Sequence, residues 1–155
     1  MNYVPWLRFE VAAREFALPI EVVAEVTHAQ RPKLIPRVSM DVAGVVNFRG
    51  EPLPVIDGGA LLLGHASVGH RHLVVLRGSA LQVGMLVTRV VRIERRMRQS
   101  VPMDEPPAEP AFTDWVLLAG RQIGLLEAGG LMDRARELLM EQPLNTGGMP
   151  CQSAF

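Results

Sequence analysis

Pro52 and Pro54 stand inside "GVVNFRGEPLPVID", residues 44–57, whose alternation is that of two strands meeting at Arg49-Gly50. A proline cannot donate to a sheet ladder, so a strand holding two of them belongs at a sheet edge or faces something other than a strand. Gly50 suits a bend with positive φ, and the turn fixes the direction in which Arg49 presents its five donors. Such short, edge-tolerant hairpins exclude a long parallel sheet at this point and set the pattern to look for elsewhere.

The same period-two pattern recurs along the chain. Leu7, Phe9 and Val11, then Phe16, Leu18 and Ile20, flank "AARE" and predict a first hairpin with one buried face. "EVVAEVTHA" predicts a third strand with Val22, Ala24 and Val26 on its apolar face, leaving Val23 and Glu25 on the other. "RPKLIPRVSMD" reads as a loop. Residues 42–48 and 51–56 form the hairpin of the opening stretch, and Asp57 caps a short turn through "GGALLLG". After "HASVGHRH", strands resume at His72, and Gly78-Ser79 separates "HLVVLR" from "ALQVGMLVTRVVRIERR". The latter places Leu81, Val83, Met85, Val87, Val91 and Ile93 on one face, with a corner at Gly84 or at Thr88-Arg89. "SVPMDEPPAEPAF" reads as an acidic, proline-rich surface loop. "DWVLLA" and "QIGLLE" form a third hairpin through Gly120-Arg121, and Leu131, Ala135, Leu138 and Leu139 have the spacing of a helix that ends by Pro143. The fold class is mainly β, built as small barrels with one late helix.

Function is narrowed by composition. With 48% apolar and 21% charged residues the 155-residue chain folds into a core of Val and Leu, and 16 basic residues balance 16 acidic ones. Zero net charge and 5% aromatic content argue against nucleic acid. Cys151 is the single cysteine, so neither an intrachain disulfide nor a thiolate cluster forms, and a reducing cytoplasm is the expected location. No apolar run spans a bilayer, so no direct membrane insertion is expected.

Catalytic motifs are missing: no G-x-S-x-G elbow occurs, and "GGALLLG" lacks the Lys-Ser/Thr of a phosphate loop. The protein reads as no enzyme and needing no cofactor. His65, His70 and His72 form the one metal-binding alternative, although no carboxylate or thiol adjoins them in sequence. His28 reads as a strand-end residue. Arg92, Arg95, Arg96 and Arg98 form a basic cluster ahead of the acidic loop. Strand parity makes Glu25 the carboxylate that Arg49 would meet, an orienting ion pair beside exposed valines.

"EFALPIEVVAEV", "VAGVVNFRGEPLPVID" and "VGMLVTRVVRI" together resemble the successive signatures of the CheW-like domain of bacterial chemosensory adaptors. The likeness runs from about Leu7 to Leu139. It implies two intertwined, SH3-like β-barrels of about five strands each with a groove between them, residues 1–141 forming one domain divided near 57–72 and residues 142–155 a flexible tail. It further implies a non-catalytic adaptor that joins chemoreceptor (methyl-accepting chemotaxis protein) cytoplasmic tips to the regulatory domain of a CheA-type histidine kinase, in chemotaxis or pilus-type motility. The receptor groove of the family maps onto Val23, Glu25, Gly44, Arg49, Gly84, Val87 and Val90, and its ion pair onto Glu25 and Arg49. The chain departs from the family at "VTRV", where Thr88 replaces an acidic residue, and at "LLEAGGLM", where Glu127 stands for an aspartate.

Overall fold

A computed structural model describes residues 4–34, 42–79, 81–95, 97 and 100–140. Eleven strands and two helices are described. The strands are β1 (Trp6–Val11), β2 (Arg14–Pro19), β3 (Val23–His28), β4 (Val42–Phe48), β5 (Glu51–Asp57), β6 (His72–Arg77), β7 (Gln82–Val87), β8 (Arg89–Glu94), β9 (Val101–Pro102), β10 (Thr113–Leu118) and β11 (Arg121–Leu126). The helices are α1 (Gly58–Leu62) and α2 (Ala128–Met140). The tail expected over 142–155 and the helix stop at Pro143 lie outside the described residues.

Three hairpins share one device. Ala12-Ala13, Arg49-Gly50 and Ala119-Gly120 each fill a two-residue turn with both φ angles positive, between 49° and 82°. Left-handed turns of this kind match the twist of the strands they join. Glycine is the residue that accepts them freely, and an alanine there costs about 1–2 kcal/mol. The third turn therefore sits at Ala119-Gly120, one residue earlier than the sequence suggests.

The strands form two sheets, one ordered β3-β6-β7-β5-β4 and the other β8-β1-β2-β11-β10-β9. Each contains one parallel pair, β5 with β7 and β2 with β11, and is otherwise antiparallel. The chain leaves the six-stranded sheet at Ile20–Val22, a turn of 3₁₀ helix, and returns to it at Thr88. The division expected near 57–72 instead falls inside the five-stranded sheet, between β5 and β6. The two sheets are intertwined because β1 and β2 precede the whole of the other sheet yet pair with strands that follow it.

The five-stranded sheet curls so that the chain following β3 reaches β4. β3 and β4 are its two outer strands, yet Lys33, five residues past β3, exchanges both backbone hydrogen bonds with Val45 of β4 at 2.9 Å. Gly44 makes this approach feasible: its φ is +142°, and a β-carbon there would collide with the Lys33 carbonyl. β4 is the edge strand and β5 an inner one, but β5 meets β7 only over Val55–Asp57, so Pro52 and Pro54 lie where β5 faces no second strand.

A shared core lies between the sheets. Leu7, Phe9, Val11, Phe16 and Leu18 from one meet Ile56, Val74, Leu76, Val83, Met85 and Val87 from the other, with Leu131, Ala135 and Leu138 of α2. A second cluster of Val46, Leu53, Val55, Leu73, Val75 and Leu86 fills the far side of the five-stranded sheet, and Ala17, Val116, Leu118 and Ile123 gather on the six-stranded one. Leu73 to Leu76 are all buried because β6 is covered on both faces, which is why "LVVL" shows no alternation. α1 begins on the Asp57 cap, whose carboxylate accepts the Ala60 N–H at 2.9 Å. At the start of α2 the Glu127 carboxylate accepts the Gly130 N–H at 2.7 Å, the capping work an aspartate would also do.

Two expectations of parity fail, both where the chain crosses between the sheets. Thr88 interrupts the long apolar run, so Val90 joins the shared core while Ile93 is 48% exposed. Ile20 leaves β2 and enters the 3₁₀ turn, where its N–H bonds the Pro5 carbonyl at 3.1 Å. Replacing Gly44 with alanine is expected to lower stability by about 1–3 kcal/mol through strain at positive φ and collision with Lys33, measured as a lower denaturant midpoint.

Candidate functional site

Arg49 and Glu25 meet. The Arg49 Nη2 donates to Glu25 Oε1, with the guanidinium 5.1 Å from the Phe48 ring. Asn47 Oδ1 accepts the Gly50 N–H at 2.9 Å and so fixes the turn from within. The ion pair bridges the two outer strands of the curled sheet, Glu25 from β3 and Arg49 from the β4–β5 turn. With side-chain exposures of 73% for Arg49 and 34% for Glu25, it also faces solvent with donors to spare.

The expected companions of this pair divide between two faces of the sheet. A bulge in β3, where Val23 and Glu25 oppose the adjacent residues Leu76 and Val75, inserts Ala24 as an extra residue. Val23 and Val26 consequently pack on the shared core and Ala24 on the second cluster. The expected grouping of Val22, Ala24 and Val26 opposite Val23 and Glu25 is overturned. Gly84 lies on the second cluster's side, where a β-carbon would come within 2.8 Å of Leu73 Cδ1, and Gly44 lies against the Lys33 backbone. Val87 is completely buried in the shared core, and Val90 is half-buried at its rim. Glu25, Arg49, Val23 and Val90 thus keep exposed surface, whereas Gly44, Gly84 and Val87 serve packing.

The Thr88-Arg89 corner is engaged internally. Thr88 Oγ1 accepts the Ala12 N–H at 3.1 Å, and Thr88 donates its own N–H to the Glu10 carbonyl at 2.9 Å. Arg89 grips the Glu10 carboxylate through Nε at 3.2 Å and Nη2 at 2.9 Å. The corner therefore ties the crossing between sheets to the first hairpin.

The histidines do not converge. His70 Nε2 lies 2.6 Å from the buried Asp57 carboxylate and 3.0 Å from Ser67 Oγ, so a carboxylate does adjoin it in space. His72 Nδ1 accepts the Val90 N–H at 3.1 Å, while His65 Nδ1 sits 3.2 Å from the Ala66 carbonyl. Among the described residues no three His, Cys, Asp or Glu side chains group as metal ligands would. Asp57 instead accepts from Ala60, from Ser67 N–H at 2.8 Å and from Ser67 Oγ at 2.9 Å, stapling the histidine loop to the start of α1.

Sequence reasoning missed a charge network on the six-stranded sheet. Arg8 and Glu15, each 8% exposed, pair through Arg8 Nε at 2.7 Å, and Glu94 and Arg121 complete the group at 3.2 and 3.3 Å. Arg8 standing between the buried Leu7 and Phe9 was the signal, because a charge on a covered strand requires a partner. Of the basic cluster, Arg92 and Arg95 are exposed, and the side chains of Arg96 and Arg98 lie outside the described residues.

A family model described as CheW-like domain matches residues 5–136. The chain belongs to the CheW-like domain family. CheW proteins are non-catalytic scaffolds or adaptors in chemosensory signalling. Among solved structures, the scaffolding protein TtCheW from Thermoanaerobacter tengcongensis superposes with a TM-score of 0.69 at 20% identity, over 82% of this chain and 86% of that one. No curated protein matches the sequence. The two sheets and late helix are the CheW fold, and among the described residues no helix is long and apolar enough to cross a membrane.

The Arg49–Glu25 and Arg8–Glu15 pairs of this CheW-like domain differ in burial and so in energetic role. Arg49→Ala removes an exposed pair worth about 0–1 kcal/mol and is expected to leave the unfolding midpoint nearly unchanged. Arg8→Ala leaves the buried Glu15 carboxylate with only the exposed Arg121 at 3.3 Å and is expected to cost up to about 3–5 kcal/mol in the same chemical denaturation series.

Proposed function

We propose that this CheW-like domain is a cytoplasmic coupling adaptor, joining the tip of a methyl-accepting chemotaxis protein to the regulatory domain of a CheA-type histidine kinase, in flagellar chemotaxis or pilus-type motility. The observation that carries the reading is the Glu25–Arg49 pair. It is exposed, yet held in a fixed direction by a left-handed turn, by Asn47 and by the Phe48 ring. An exposed pair adds little to folding, and a guanidinium oriented in this way is suited to recognising a carboxylate or carbonyl on a helical partner. Val23 and Val90 supply apolar edges at the rim of the shared core, giving the mixture of apolar contact and oriented charge that protein interfaces use.

Membership of a scaffold family supports the absence of catalysis in this reading. The receptor face centres on Glu25 and Arg49, with kinase contact on a separate surface. Recruitment to receptor arrays would then come through these partners. A metal-dependent alternative using His65, His70 and His72 has no geometric support, since each ring has a different local partner.

Pull-downs from host cells test the proposal, with wild-type protein and Arg49→Glu as paired baits. The wild type is expected to retain receptors and kinase, whereas Arg49→Glu loses receptors by about tenfold or more and keeps the kinase. An unchanged far-UV spectrum would show that the variant is folded. Full receptor recovery with Arg49→Glu would remove this residue from the interface, and recovery of neither partner by folded wild type would overturn the adaptor role.

A further inference from the structure

His72 opens β6 directly across from His28, the last residue of β3, and the two rings stack at 5.9 Å with an interplanar angle of 21°. Its Nδ1 accepts the backbone N–H of Val90, which belongs to β8 of the other sheet. A ring nitrogen that accepts from an amide carries no proton, so this bond specifies a neutral imidazole with its hydrogen on Nε2. A proton added at Nδ1 would set one donor against another and break the bond.

The ionisable neighbours of His72 are basic. His28 faces it from β3, and Arg71 precedes it, with its N–H held by the Val87 and Thr88 carbonyls at 3.1 and 3.0 Å. Arg89, beside Val90, is already matched by the Glu10 carboxylate. No carboxylate pairs with His28, Arg71 or His72 in an ion pair among the described residues.

We propose that His72 is a proton-operated latch between the two sheets, closed while its imidazole is neutral and opened when it takes a second proton. The bond is then present at mildly alkaline pH and lost as pH falls through the range in which histidine gains charge. Opening frees the amide of Val90, one of the residues at the rim offered to the receptor. That consequence for coupling rests on the adaptor reading, but the latch itself is a property of the free protein. It can be tested whether or not a receptor binds.

The test is amide hydrogen exchange and ¹⁵N NMR on the full chain between about pH 8 and about pH 5, with exchange corrected for its intrinsic pH dependence. Wild type is expected to lose Val90 protection by about tenfold or more at the acidic end as the His72 ring nitrogens take up a proton. His72→Asn, whose side-chain carbonyl can accept in place of Nδ1 and does not titrate, is expected to keep Val90 protected throughout. His72→Phe is expected to leave it unprotected at both extremes. Should that variant not fold, the asparagine variant decides alone. Protection of Val90 that is flat with pH in the wild type, or the same pH dependence surviving in His72→Asn, overturns the latch. Receptor capture by Arg49→Glu is scored at neutral pH, so failure of the adaptor reading and failure of the latch are separate results.

Discussion

The apolar layer between the two sheets is the interaction on which the remaining structure depends. Neither sheet can bury its inner face alone. Leu7, Phe9, Phe16 and Leu18 need Val74, Leu76, Val83 and Met85 opposite them, and α2 seals the same layer with Leu131, Ala135 and Leu138. Each such side chain contributes about 1.5–3 kcal/mol when removed from water, and that total is what tolerates alanines in left-handed turns and a buried Arg8–Glu15 pair.

Charge is divided between structural and outward-facing uses. Arg8, Arg89 and Arg121 are spent inside the molecule on Glu15, Glu10 and Glu94, where they fix strands of one sheet against each other and against the crossing. Arg49 is held as firmly by its turn yet remains largely exposed. The Thr88-Arg89 departure from the family pattern belongs to the first group. Both residues lock the first hairpin to the corner, so their effect on partner choice would act through the geometry of the crossing.

Much of the fold was legible because period-two alternation and turn residues mark strands that have one covered face. The hairpin around Arg49-Gly50 and the Asp57 cap were readable on that basis and α2 from its helical spacing, whereas Glu25 meets Arg49 although the parity that pointed to it is broken by a bulge. The bulge at Ala24 was not, since an inserted residue leaves the apolar composition of a strand intact and changes only which side each residue faces. The same blindness affected β8, where Val91 is the extra residue opposite Arg8 and Phe9. Ala12, Ala13 and Ala119 hid their turns because alanine carries no signal for positive φ. Gly44 and Gly84 could be placed near the site but not given their packing role, which depends on Lys33 and Leu73 arriving from distant parts of the chain.

The parallel pairing of β2 with β11 matches Glu15 to Ile123, more than a hundred residues later. During synthesis the first hairpin therefore emerges with its inner face bare and waits for nearly the whole described chain before its sheet can close. Loop closure over such a separation slows folding and prolongs exposure of Phe9, Phe16 and Leu18. A fold made this way is born incomplete: its six-stranded sheet stays open until β11 has been threaded in beside β2.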